Sequence, residues 1–261
     1  MSQIFYTKEL VSAGQVLNTI NYLPVPMVVR PQSRAAWLDM SDISSANMTS
    51  SGGLVSKVLD KFGNGNNVQQ NTSSAQPKNN TRTQNGLPVL EFAHDGTQND
   101  FMVFDSNIAV NVPFTVFVVA ALDATNSQSI LSRQHAAIAG QFALVKNGGF
   151  AIFQSYAFGL SGNVTGTVKS FTTNPVIHTV TLDEGTPLKY QLNNGTIATD
   201  GINLSGYNNS ILTSLNLGSS PGGINPMDGW IGEVIIYNTV LTTSEIIQVN
   251  QYLSRKWGIT I

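Results

Sequence analysis

Apolar residues recur along most of this chain with the period of a strand, and only near its end with the period of a helix. Phe114-Thr-Val-Phe-Val-Val-Ala-Ala121 is almost continuously apolar and predicts a central strand buried on both faces. Val176, His178, Val180 and Leu182 alternate with polar or smaller neighbours and predict a strand that turns these four toward one side. Shorter strands are predicted over 87–92, 101–104, 141–146, 150–155, 187–192 and 213–217. Asn147-Gly-Gly149 and Asn193-Asn-Gly195 supply hairpin turns, because asparagine and glycine adopt the positive φ such turns require. Short strands at near-regular spacing, with no internal repeat, predict an all-β sandwich or barrel.

The closing segment is the clearest. Ile231, Val234, Ile235, Ile236 and Tyr237 form an apolar, β-branched run too short for a helix, so it reads as a buried strand. Thr242 and Glu245 have the spacing of a capping box. Ile246, Val249, Leu253 and Trp257 then recur at helical spacing and make one apolar stripe. Arg255 and Lys256 suit the last turn, and Gly258 suits the stop. A lone helix of this length is marginal in water and must dock on the sheet.

Residues 1–34 differ from the rest. Pro24, Pro26 and Pro31 bias their neighbours away from helix, so 22–31 is expected to be extended. Ile4, Phe5, Tyr6, Leu10, Val11, Val16, Leu17 and Ile20 are too apolar for a free tail. The division expected is an N-terminal arm over 1–34, for attachment or packing, and one domain over 35–261. Residues 69–86 are polar and read as a long surface loop.

The 261 residues include 13 Lys and Arg, 15 Asp and Glu, and no cysteine, for a net charge of −2. Without cysteine there are no disulfides, thiolate metal sites or thiol nucleophiles. Scattered basic residues give no electrostatic footprint for nucleic acid. Only 11% of residues are charged, so Asn, Ser, Thr, Gln and Gly must cover the surface, as they do in many extracellular and virion proteins. Residues 1–30 lack the pattern of a secretory signal, and no window predicts a membrane-spanning helix.

Four landmarks stand in order: Trp37-Leu-Asp39, Asp60-Lys-Phe-Gly-Asn-Gly-Asn66, Phe92-Ala-His-Asp-Gly-Thr-Gln-Asn-Asp100, and the closing strand with its helix. The series resembles the concanavalin A-like jelly roll in its laminin-G-like, pentraxin-related branch, over roughly 35–258. Phe62 stands where serine is usual, and His94 is inserted in the third landmark. The resemblance implies a two-sheet antiparallel jelly-roll sandwich with a short C-terminal helix and an extended N-terminal arm. It does not imply an activity, since this fold carries lectins, adhesins, spacers and hydrolases.

Glucanases of this superfamily place their carboxylates on one strand as Glu-x-Asp-x-x-Glu. Of the five glutamates here, Glu9, Glu91, Glu184, Glu233 and Glu245, none has an acidic neighbour two residues away. Glu245 is explained by the cap and Glu233 by the closing strand, which leaves Glu91 near Asp95. His94, His135 and His178 show no metal spacing and no nucleophile beside them. His178 is expected to be an ordinary strand residue, while His135 and His94 are placed to touch a ligand. The resemblance raises calcium at the rim, either on Asp95, Asn99 and Asp100 or on Asp60, Asn64 and Asn66. Turn capping by the same side chains is the commoner use, and no cofactor is expected. Trp37, Trp230 and Trp257 fall in structural landmarks, whereas Tyr156, Phe158 and Tyr207 lie in freer, Gly- and Ser-rich surroundings.

The expected function is therefore non-enzymatic. It is that of a phage virion structural protein, a capsid decoration or fibre-type component, exposed on the particle and presenting a lectin-like module to host-surface glycans. The arm would bind other virion proteins, and the module would be homo-oligomeric or lattice-bound. The alternatives are a free glycan-binding lectin or adhesin and, further away, a glycoside hydrolase.

Overall fold

A computed structural model describes residues 5–11, 15–21, 25–94, 99–105, 113–123, 128–133, 141–147, 150–157, 160–163, 174–183, 186–203, 215–220, 223 and 225–261. Two large sheets face each other, and every strand pair in them is antiparallel. The first sheet has nine strands and runs from Leu160–Asn163 at one edge to Met48–Ser51 at the other. The second centres on Phe114–Leu122, flanked by Val176–Leu182 and Gly229–Tyr237. Both Arg34–Asp39 and Leu90–Phe92 then pair with Gly229–Tyr237. The fold is an all-β sandwich, as the strand periodicity predicts.

Phe114–Leu122 is buried throughout because it lies between two layers of apolar side chains. Phe114, Val116, Val118 and Ala120 point into the core between the sheets, with Phe92, Leu131, Leu217, Val234 and Ile236. Phe117, Val119 and Ala121 point the other way, into a second core with Trp37, Ile235, Tyr237, Val249, Leu253 and Trp257. The C-terminal helix, Thr243–Trp257, closes this second core. Its N-cap is Thr242, in a complete capping box with Glu245, and Gly258 ends it in the left-handed conformation at φ 65°.

The closing strand breaks its own alternation once. Its register against Phe114–Leu122 shifts where Val119 pairs with Glu233 and Ala120 with Ile231, leaving Gly232 as the extra residue. A bulge of this kind moves every later side chain to the opposite face. Ile231 and Val234 therefore both reach the inner core, and Glu233 turns outward beneath the helix.

Several expectations need correction. Residues 22–31 are not wholly extended: Val25–Val28 makes one helical turn. Pro26 is compatible with that, because the first helical turn needs no amide donor from proline. The apolar segment before it is extended and pairs with itself. Phe5–Val11 and Gln15–Asn21 form a two-stranded hairpin. Residues 69–86 are not one loop, since they contain a 3-10 turn at Ser73–Ala75 and the strand Thr83–Gln84, which pairs with Leu87–Pro88. The strand predicted over 87–92 is accordingly two pieces, with Val89 buried between them. Strands at Leu54–Val58 and Gln128–Arg133 were not legible beforehand.

Candidate functional site

The Asp60–Asn66 turn is one of the two calcium candidates. Asp60 Oδ1 accepts the backbone N–H groups of Trp37 and Phe62, both at 2.9 Å, and Oδ2 accepts those of Asn64 at 3.0 Å and Asn66 at 3.4 Å. The amide groups of Asn64 and Asn66 donate to the Ala35 carbonyl. The turn thus lies along the outer edge of Arg34–Asp39 and supplies the donors and acceptors of a missing strand. A carboxylate ringed by four N–H donors is committed to the backbone, not to a cation. Burial raises the Asp60 pKa above the ordinary carboxylate value. Among the described residues no group of three or more His, Asp and Glu could hold a metal ion.

The second candidate lies at the sheet rim. Asp95 is outside the described residues. Asn99 Oδ1 accepts a hydrogen bond from His94 Nδ1 at 2.8 Å, and Asn99 Nδ2 donates to the Gly223 carbonyl at 3.2 Å. Asp100 accepts the Ala93 amide at 2.9 Å. These contacts tie the loop after Leu90–Phe92 to the loop before Gly229–Tyr237. The same rim gathers Arg82, Glu91, Asp123 and Asp228. Arg82 forms a two-pronged ion pair with Asp123, and its guanidinium is 3.9 Å from Glu91. The Asp123 amide donates to the Asp228 carbonyl at 2.8 Å, and the Asp228 amide to Gln128 Oε1 at 2.7 Å. Burial, then the neighbouring Asp123, pushes the Asp228 carboxyl up. Side chains here remain about a third exposed, at 34% for Arg82, 35% for Asp123 and 29% for Glu91. An acceptor-rich, half-buried rim with one fixed guanidinium can take hydroxyl donors from a ligand.

The pattern of apolar and polar positions does not single out Arg82, Asp123 and Asp228 as a group. The available signal was positional: Asp123 directly follows Phe114–Leu122, and Asp228 directly precedes Gly229–Tyr237. Strand ends in a sandwich meet at its rim, so polar residues there converge.

The remaining candidates separate cleanly. His178 is fully buried against Tyr190, with Nδ1 2.8 Å from the phenol oxygen, and burial pushes its pKa down to about 3. It is a neutral core residue, as its alternation predicts. Trp37, Trp230 and Trp257 are all buried and offer no stacking platform. His135, Glu184, Phe158 and Tyr207 lie outside the described residues, and Glu9 and Tyr156 are described only in their backbones.

Glu233 is wholly buried under the helix. Its Oε1 accepts from Trp37 Nε1 at 2.7 Å and from Tyr252 Oη at 2.9 Å. Its Oε2 accepts from Trp257 Nε1 at 2.9 Å and meets Lys256 Nζ at 2.8 Å. Burial raises its pKa, and Lys256 opposes that rise. Lys256 also reaches Asp39 Oδ1 at 2.7 Å, while Lys61 bridges Asp39 and Asp42.

On the far side of the helix a shallow cavity of about 70 Å³ lies among Thr179, Thr181, Lys189, Gln191, Leu241 and Ile246. It falls well short of the several hundred Å³ that a small-molecule site encloses. No helix of the described residues is long and apolar enough to cross a membrane.

Comparison with known proteins defines the fold. A scan of family models finds no match, and a search of curated proteins finds none. Among solved structures, the chain is similar to domain 4 of an extracellular arabinanase from Geobacillus stearothermophilus, solved in complex with arabinotriose. The TM-score is 0.59 at 14% identity, over 84% of this chain and 98% of that domain. It is similar to the receptor-binding domain of a botulinum neurotoxin C/D mosaic (TM-score 0.57, 13% identity), over 85% of this chain and 51% of the other. It also resembles a Trypanosoma rangeli sialidase (TM-score 0.52, 14% identity), over 87% of this chain and 33% of the enzyme. The chain thus spans nearly all of the arabinanase domain and about half or less of the two others. At these identities the likeness establishes the β-sandwich and its jelly-roll-like arrangement.

Proposed function

We propose that this chain is a non-enzymatic glycan-binding module of the concanavalin A-like, laminin-G-related kind, displayed on the surface of a virion. The observation that carries the glycan reading is the match along almost the whole of an arabinanase domain solved with a bound arabinotriose. The disposition of carboxylates supports binding over turnover. Glu233 is consumed by two indoles, a phenol and a lysine, Glu245 by the helix cap, and Glu91 lies beside the Arg82 guanidinium. The rim of Arg82, Glu91, His94, Asn99 and Asp123 is the surface that meets the sugar. The virion setting is supported by a cysteine-free, charge-poor, amide- and hydroxyl-rich composition.

A glycan array read with the purified chain tests the binding. Retention of a defined set of oligosaccharides, reduced at least tenfold by Asn99→Ala, is expected. No binding across the array, or release of reducing ends from a polysaccharide panel, would overturn it. Incorporation into particles tests the setting. A chain that binds glycan yet has no affinity for any particle component is a free lectin.

A further inference from the structure

The Lys256 ammonium does more than cap the helix end. It is 2.7 Å from Asp39 Oδ1 and 2.8 Å from Glu233 Oε2. Asp39 and Glu233 are direct cross-strand partners, so both carboxyls face the same lysine from adjacent strands. All three side chains are largely withdrawn from water, at 15% exposure for Lys256, 8% for Asp39 and 0% for Glu233. The walls are the indoles of Trp37 and Trp257. An amine this close to a carboxyl oxygen stands roughly 3–3.5 Å from the carboxyl carbon, a reactive separation.

We propose that Lys256 and Asp39 condense across the Glu233 carboxyl into an intramolecular amide that fastens the C-terminal helix to the edge strand Arg34–Asp39. Glu233 takes one proton from Nζ and passes it to Asp39 Oδ1, and the freed amine attacks Cγ of the neutralised carboxyl. The Cγ–Oδ1 bond then breaks. Oδ1 leaves as water with the proton relayed by Glu233 and a second proton from nitrogen. Nζ loses two protons, Asp39 loses one oxygen, and no oxidant or cofactor enters. Lys61, 3.2 Å from Oδ2, stabilises the negative oxygen that develops there. Ser41 donates to the departing Oδ1 from its hydroxyl at 2.6 Å and its amide at 3.1 Å.

The resting ion pair is well held, since both lysines keep the Asp39 carboxyl below its ordinary range despite its burial. The condensation removes that buried charge pair and leaves the other members partnered. Lys61 keeps Asp42, and Glu233 keeps its two indoles and Tyr252. The product closes a ring from residue 39 to residue 256 in a chain with no cysteine, constraining the unfolded chain as a disulfide would.

Intact mass of the denatured full-length protein tests this. The expected mass is lower than that of the sequence by one water, with a branched proteolytic peptide joining the segments around Asp39 and Lys256. Lys256→Arg, which keeps the cation and cannot form the amide, should show its full sequence mass and unfold at lower denaturant concentration. A wild-type chain at its full sequence mass overturns the proposal, as does a mass deficit that persists in Lys256→Arg.

Discussion

Gly232 has no side chain because the ring of Trp257 lies where one would go: a Cβ built there would stand 2.9 Å from the indole. The position combines two demands, a bulge that turns Glu233 outward and a close approach by the helix. Gly232→Ala should cost about 1–3 kcal/mol of stability through overpacking, read as a lower urea midpoint in tryptophan fluorescence. Asp60 makes the opposite case, a charged residue kept for the backbone groups it satisfies. Asp60→Ala leaves buried N–H donors without partners and should cost about 3 kcal/mol. Any change that added calcium makes to the melting temperature should be the same in the wild-type chain and in Asp60→Ala, which thermal scans with and without chelator would check. The Asp-x-x-Gly-Asn-Gly-Asn spacing shows a turn in the sequence. It does not show that the turn edges Arg34–Asp39, because that requires the distant strand to be in place.

At the scale of elements, the C-terminal helix was the most legible piece, since its cap, stripe and stop are local. Thr242→Ala should cost about 1 kcal/mol by removing the cap. Glu245 adds a pH signature. Burial works to raise its pKa, but the Thr242 amide, the Arg30 guanidinium and the Thr242 hydroxyl together hold it below the ordinary value of 4.5. A carboxyl whose folded pKa is depressed contributes stability above its unfolded pKa and loses it as pH falls through the folded value. Glu245→Gln should therefore flatten the acid side of the stability curve below about pH 4.5, by well under 1 kcal/mol for so exposed a pair. Urea titrations at several pH values would detect it. The strand Gln128–Arg133 was harder to read, because Gln128, Ser129 and Ser132 are polar residues buried by tertiary contacts that alternation cannot foresee. The rim site failed to appear for the same reason: Arg82, Asp123 and Asp228 are brought together by strand ends far apart in sequence.

At the scale of the molecule, the N-terminal hairpin and the sandwich are distinct in their pairing. Phe5–Val11 and Gln15–Asn21 pair with each other and with no other strand among the described residues. Residues 25–29 behave differently: Val29 enters the outer core, Val25 and Met27 pack beside it, and Tyr237 Oη donates to the Pro26 carbonyl. Removing 1–24 should leave the melting temperature within a few degrees of the full chain. Removing 1–33 should lower it by roughly 5 °C or more, since each kcal/mol is worth a few degrees at this size. Differential scanning calorimetry of both truncations separates the two. If the hairpin attaches the module to a particle, the shorter truncation should fold normally and fail to incorporate.

The central claim, a sandwich that binds sugar at its rim and does not cleave it, is most directly tested by NMR titration with arabino-oligosaccharides and the glycans selected on the array. Saturable shifts are expected at Glu91, His94, Asn99 and Gly223, with none at the Glu233 network and the oligosaccharide recovered intact. Shifts confined to the helix side of the molecule, no shifts with any glycan, or a shortened oligosaccharide would contradict it.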